Sequence, residues 1–135
     1  MSRLDTSRTA IDADFAGRRR RFQLRIGEIG ELERLCGAGI GEIALRLQLH
    51  TFRAADVWEP IRLGLEGGGA GETEATALVV RYQSQPIADY IGLAARIVDA
   101  ALSGAPKPDA KAARPGKAMA EGVPATSPPS TSPEA

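Results

Sequence analysis

Few side chains in this sequence of 135 residues could do chemistry. Cys36 is its single thiol and His50 its single imidazole. A cysteine nucleophile and its histidine base must lie within about 3 Å of each other, and nothing in the spacing of these two brings them together. Cys36 falls on an apolar helical stripe, where a buried, inert thiol is the expected state. His50 stands between Leu49 and Thr51 in a connection and reads as an exposed loop residue. One cysteine also excludes an intramolecular disulfide and a cysteine-based zinc cluster.

Two glycine clusters invite a nucleotide-binding reading, and neither sustains it. In Gly37-Ala38-Gly39-Ile40-Gly41 the last glycine of a dinucleotide fingerprint is missing, Glu42 standing in its place, and the cluster follows a helix rather than a strand. Gly67-Gly68-Gly69-Ala70-Gly71 has no Gly-Lys-Ser/Thr after it to hold phosphates. Both read as helix stops. The acidic pairs Glu31/Glu33 and Glu72/Glu74 are two residues apart, on different sides of a helix, and make poor chelates. The expectation is therefore no enzyme: no catalytic residue, no cofactor site and no metal site. Composition and pattern name no protein-binding residue either.

The run Arg18-Arg19-Arg20-Arg21 is the most conspicuous charged feature. As a phosphate-binding patch it would make a small nucleic-acid-associated protein whose affinity falls steeply with salt. On a strand, however, neighbouring side chains point to opposite faces. Arg19 and Arg21 would then lie across from Asp14 and Asp12, leaving Arg18 and Arg20 uncompensated. No aromatic residue interleaves the run as a stacking platform. A solvated, partly paired strand is the favoured reading.

Those arginines must be positioned by a β-hairpin over residues 8–26. Ile11, Ala13 and Phe15 alternate with Asp12 and Asp14, and Phe22, Leu24 and Ile26 alternate with Arg21, Gln23 and Arg25. This is the period-two strand signal, with Ala16-Gly17 as the turn. The expected pairs are Phe15 with Arg18, Asp14 with Arg19, Asp12 with Arg21 and Ile11 with Phe22. A slip by one residue would put the aspartates on the face of Phe22 and Leu24.

After the hairpin the period becomes helical. A first stripe runs Ile26, Ile29, Leu32 and then Leu35 or Cys36, stopped by Gly37. A second helix covers about 40–47, with Ile40, Ile43, Ala44 and Leu47 on one face. The third carries Ala54, Val57, Trp58, Ile61 and Leu65, with Thr51 as candidate N-cap. Pro60 sits inside it, and a bend is preferred to a break. Trp58 is expected in the core. A fourth, weaker helix spans 72–83 on Ala75, Leu78, Val79 and Tyr82. The last begins in the turn of Pro86 and runs to Leu102, closed by Gly104.

Seven of the nine prolines lie in residues 105–135, where Met119 and Val123 are the only large apolar side chains. Such a segment cannot bury enough to offset the entropy of ordering. The expected organisation is a domain over 8–104 and a disordered Pro/Ala/Ser-rich tail over 105–135, with the first residues up to Ser7 loose as well. The fold class is α+β: an N-terminal hairpin, four to five short helices, then the tail. Charge agrees with a binding protein that is not a polyanion coat. The chain has 17 basic and 17 acidic residues, and the tail holds four and three of them, leaving 13 against 14 in residues 1–104. No apolar run reaches the ~18 residues of a membrane span, and no secretion signal opens the chain. A cytoplasmic protein of a bacterial host cell is expected.

The order of these elements resembles small proteins of gene transfer agents and related siphophages, known as tail-assembly chaperones or tail tube proteins. The likeness covers most of residues 8–104. It rests on the turn Phe15-Ala16-Gly17-Arg18 before an Arg- and Leu-rich strand, and on the helix ending Gly30-Glu31-Leu32-Glu33-Arg34-Leu35-Cys36-Gly37-Ala38-Gly39. The helix from Phe52-Arg53-Ala54-Ala55-Asp56-Val57 to Gly64-Leu65 and the alanine-rich last helix complete it. Pro60 and the long tail depart from the family pattern. The resemblance brings no catalytic residues. It implies a helper, in a gene transfer agent or prophage, that binds the helical tape-measure protein until tube subunits replace it; those subunits are a second partner. The competing implication is a tube component retained in the particle. Tube subunits of this kind form β-sheet rings, whereas this sequence offers one hairpin.

Overall fold

A computed structural model describes residues 6–105. The expected tail lies outside the described residues, apart from Ala105. Two strands, β1 (Ala10–Phe15) and β2 (Arg18–Gln23), form an antiparallel hairpin in the register read from the alternation. Phe15 pairs with Arg18, Asp14 with Arg19, Asp12 with Arg21 and Ile11 with Phe22. Ala16 (φ 54°) and Gly17 (φ 85°) both have positive φ, the signature of the tight primed turn. Alanine is strained there, and Arg20 supplies a clamp: its Nε–H donates to the Phe15 carbonyl (2.6 Å) and a terminal N–H to the Ala16 carbonyl (3.1 Å).

Five helices follow: α1 (Ile26–Cys36), α2 (Ile40–Leu49), α3 (Ala54–Gly67), α4 (Glu72–Tyr82) and α5 (Ile91–Ser103). The architecture is the expected α+β type. Gly37, at φ 65°, ends α1 as a left-handed cap, its N–H donating to the Glu33 carbonyl (2.9 Å). The Glu33 carboxylate then accepts from the Ile40 N–H (2.9 Å) and so caps α2. Helix α3 is the hub of the domain, touching β2 and all four other helices. Its Val57, Trp58, Ile61, Leu63 and Leu65 are all buried. Gly64 lets α3 approach the sheet, since a Cβ there would come within 3.2 Å of Ile97 Cγ2 and 3.3 Å of the Phe22 ring. An aromatic cluster joins the layers: Phe15 stacks near Tyr82 (5.4 Å between centroids) and Tyr90 (6.0 Å), and Tyr90 near Trp58 (4.9 Å). Trp58 is thus a core residue, as expected.

Several local expectations change. Ile26 is 84% exposed, so the buried stripe of α1 rests on Leu32 and Cys36; Leu24, fully in the core, takes the place that Ile26 would have filled at the strand exit. Thr51 does not cap α3. Arg53 is the N-cap residue, and the carboxylate of Asp56 reaches back to accept its N–H (2.8 Å). Helix α3 is continuous through Pro60, which excludes the break. The segment after Pro86 opens as a 3-10 turn, Ile87–Tyr90, before α5 begins. Ser7 lies in another 3-10 turn, Thr6–Thr9, tied to the end of α5: the Arg8 carbonyl accepts from the Ala105 N–H, and the Arg8 guanidinium donates to the Ser103 carbonyl (3.3 Å). No helix among the described residues is long and apolar enough to cross a membrane.

Candidate functional site

The structure separates the residues from which chemistry could have been built. Cys36 closes α1 and is buried, whereas His50 caps α2 at φ 59° and is exposed, its ring beside Phe52 (6.3 Å). Burial pushes the Cys36 thiol up to about 12, helped by the Asp56 carboxylate, which accepts from the thiol and repels a thiolate. A nucleophile needs the opposite shift. Because the folded thiol holds its proton more tightly than the unfolded one, this group leaves stability level below about pH 9 and lowers it as pH rises from 9 toward 12. Alkaline denaturation series should show that decline, and Cys36→Ala should flatten it. Folded protein should also resist iodoacetamide at pH 8 and react once unfolded in urea.

Cys36 lies at the edge of a buried polar cluster that sequence reading missed. Asp56 is fully buried, and both its carboxylate oxygens accept from one terminal N–H of Arg46 (3.2 Å each). The same nitrogen also reaches the Cys36 carbonyl (3.4 Å), and the other terminal nitrogen donates to Glu42 (3.1 Å). This arrangement ties α1, α2 and the start of α3 together. Asp56 is further satisfied by the Arg53 N–H (2.8 Å). The role of the cluster is positional. One signal was available: Asp56, Pro60 and Gly64 are spaced by four on α3, so the aspartate shares a buried face.

The acidic pairs are likewise occupied in structural contacts or left in solvent. Glu31 pairs with Arg34 (3.0 Å to Nε), Glu33 caps α2, and Glu72 and Glu74 are exposed in the first turn of α4. Among the described residues, no group of three or more His, Cys, Asp and Glu is placed to hold a metal ion.

The arginine run borders a concave polar feature. A cleft of about 290 Å³ is lined by Arg18, Arg19, Arg20 and Arg21 together with Leu65, the 68–70 loop and Glu74. Strand parity explains who is free there. Arg20 shares the core face with Phe22 and spends its guanidinium on the turn carbonyls. Arg19 meets Asp14 at 3.6 Å, with both side chains mostly in water, a contact of at most about 1 kcal/mol. Arg21 stands opposite Asp12 in register, yet no ion pair forms between them. The expectation that Asp12 compensates Arg21 is therefore corrected, while Arg18 and Arg20 have no acidic partner among the described residues, as expected. Within the run, Arg18 and Arg21 are the two with neither an ion pair nor a side-chain hydrogen bond to another described residue.

The second glycine cluster has a packing role at this cleft. In a hairpin with a two-residue loop, the backbone groups of residues 19, 21 and 23 point away from β1. Gly67 and Gly68 lie against that outer edge: a Cβ would fall 1.8 Å from the Gln23 carbonyl oxygen at Gly67 and 2.1 Å from that of Arg21 at Gly68. Only a hydrogen fits, so each Cα–H faces a carbonyl. The glycines close the edge of the sheet; they cradle no phosphate.

The family model for "Phage tail tube protein, GTA-gp10" matches residues 8–125. The chain belongs to this family. It is thereby one of the gene transfer agent and phage tail proteins, a family of structural components. The match starts at Arg8, in the turn before β1, and extends beyond the described residues into the proline-rich segment. No curated protein and no solved structure matches the chain.

Proposed function

We propose that this domain is a non-enzymatic tail-assembly chaperone that holds the tape-measure protein in the host cytoplasm until tube subunits take its place. The observation that carries this reading is the closed edge of the hairpin. A tube wall made of sheet running from subunit to subunit needs two open edges on each subunit. Here the outward carbonyls of Arg21 and Gln23 are covered by Gly68 and Gly67, which leaves Arg19 alone on that edge, too short a stretch for a continuous sheet to pass from subunit to subunit. The rest of the domain is helical, and its polar clusters are consumed in holding helices together.

A helper for a long helical protein needs a seam of apolar side chains on which an amphipathic helix can lie. Leu45 and Leu49, one turn apart on α2, are 51% and 62% exposed and offer such a pair. A second reading, a tube component retained in the particle, is favoured by the family description itself. The two part on one experiment: recovery of the chain with the tape-measure protein from assembling cells, against its content in finished particles.

A further inference from the structure

We propose that the cleft beside β2 binds an acidic segment of a partner protein, an extended stretch whose carboxylates pair with Arg18 and Arg21. The proposal holds whichever tail role the domain plays, because it rests on the cleft alone.

Four arginines line the cleft and Glu74 is the one acidic residue among its lining residues. Two of the four are committed, Arg20 to the turn carbonyls and Arg19 to Asp14. Arg18 and Arg21 are exposed and carry no ion pair among the described residues. They are anchored on a strand whose register and turn are held by pairing and by the Arg20 clamp, so their starting points are fixed before any ligand arrives. The forked guanidinium suits a carboxylate taken through two parallel hydrogen bonds.

The backbone adds direction. Gly67 and Gly68 cover the outer edge of β2 at Gln23 and Arg21 and leave it open at Arg19, which itself lines the cleft. A segment lying there in extended form gains main-chain hydrogen bonds at Arg19. Arg18 and Arg21 are three residues apart on a strand and so project from opposite faces. A matching extended segment therefore carries its acidic residues at odd spacing, such as three apart.

Nucleic acid is the weaker occupant. Two free guanidinium groups make a poor phosphate track, and no aromatic side chain lines the cleft for stacking. The near-neutral balance of residues 1–104, 13 basic against 14 acidic, adds no long-range attraction for a long polyanion.

The test uses the full chain and fluorescence anisotropy with two labelled probes at low salt. One is a peptide of Glu-Ser-Ser repeats, the other a single-stranded oligonucleotide of equal charge. The peptide should bind, and binding should weaken with added salt. The double variant Arg18→Gln/Arg21→Gln should lose about tenfold or more in affinity, and Glu74→Gln should bind more tightly than the native chain. Arg96→Gln, an exposed arginine of α5 that does not line the cleft, should change nothing. Thermal melts confirm that each variant is folded. The proposal fails if the peptide does not bind, or if it binds the double variant as well as the native chain. It is also overturned if the oligonucleotide binds more tightly than the peptide and loses that binding with Arg18 and Arg21.

Discussion

Replacing Asp56 by alanine should cost the domain about 3 kcal/mol, the low end of what is lost when one member of a buried ion pair is removed. The carboxylate is fully buried and accepts two hydrogen bonds from Arg46 (3.2 Å each) and one from the Arg53 N–H (2.8 Å), besides that from the Cys36 thiol. Its removal leaves the first turn of α3 uncapped. It also leaves Arg46 with a solvent-exposed carboxylate, Glu42, and the Cys36 carbonyl as its remaining partners. Urea denaturation of native chain, Asp56→Ala, Arg46→Met and the double variant measures this directly. The double variant should lose less than the two single losses combined, because removing both partners leaves no orphaned charge. Strict additivity would show that the pair does not act as a unit.

The second large effect is expected at Gly67. A methyl group there would sit 1.8 Å from the Gln23 carbonyl oxygen, with the side chain of Glu28 also close at 3.1 Å. The obstacle is backbone on a paired strand, so neither side can turn away as a flexible side chain could. Gly67→Ala should force α3 and β2 apart at a cost of about 2–3 kcal/mol. In a domain of this size that lowers the melting temperature by about 10–20 °C. Gly41 supplies the contrast: it lies inside α2, and an added Cβ meets nothing within 4 Å. Gly41→Ala should raise stability by up to about 1 kcal/mol, since alanine is the better helix former. If Gly67→Ala were neutral, the glycine at 67 would not be closing the sheet edge.

The two sites also mark how far the sequence could be read. Period-two alternation made the faces of the hairpin legible, since only pairings of one parity keep the aspartates off the core face; a four-residue loop keeps the same faces, and the structure has the two-residue turn. Helices α1 and α5 announce their ends through Gly37 and Gly104. What stayed hidden depends on how elements dock. Asp56 and Arg46 meet only after α2 turns back along α3, and no local pattern encodes that approach. The role of Gly67 and Gly68 requires β2, far away in sequence, to lie against the end of α3. Arg20 looked like a free charge because its acceptors are carbonyls of the turn, invisible as residue types. Arg21 looked paired because register places Asp12 opposite, while two exposed side chains on a strand face gain little from closing the gap. The shape of the cleft followed from all of these together.

The central claim is that the domain assists tail assembly and then leaves. The most direct measurement is quantitative mass spectrometry of the chain in two samples: purified particles and tape-measure complexes captured from cells arrested during assembly. The account predicts recovery with the tape-measure protein in the second sample and no stoichiometric signal in the first. Abundant, stoichiometric presence in finished particles would contradict it and make the domain a built-in component of the tail.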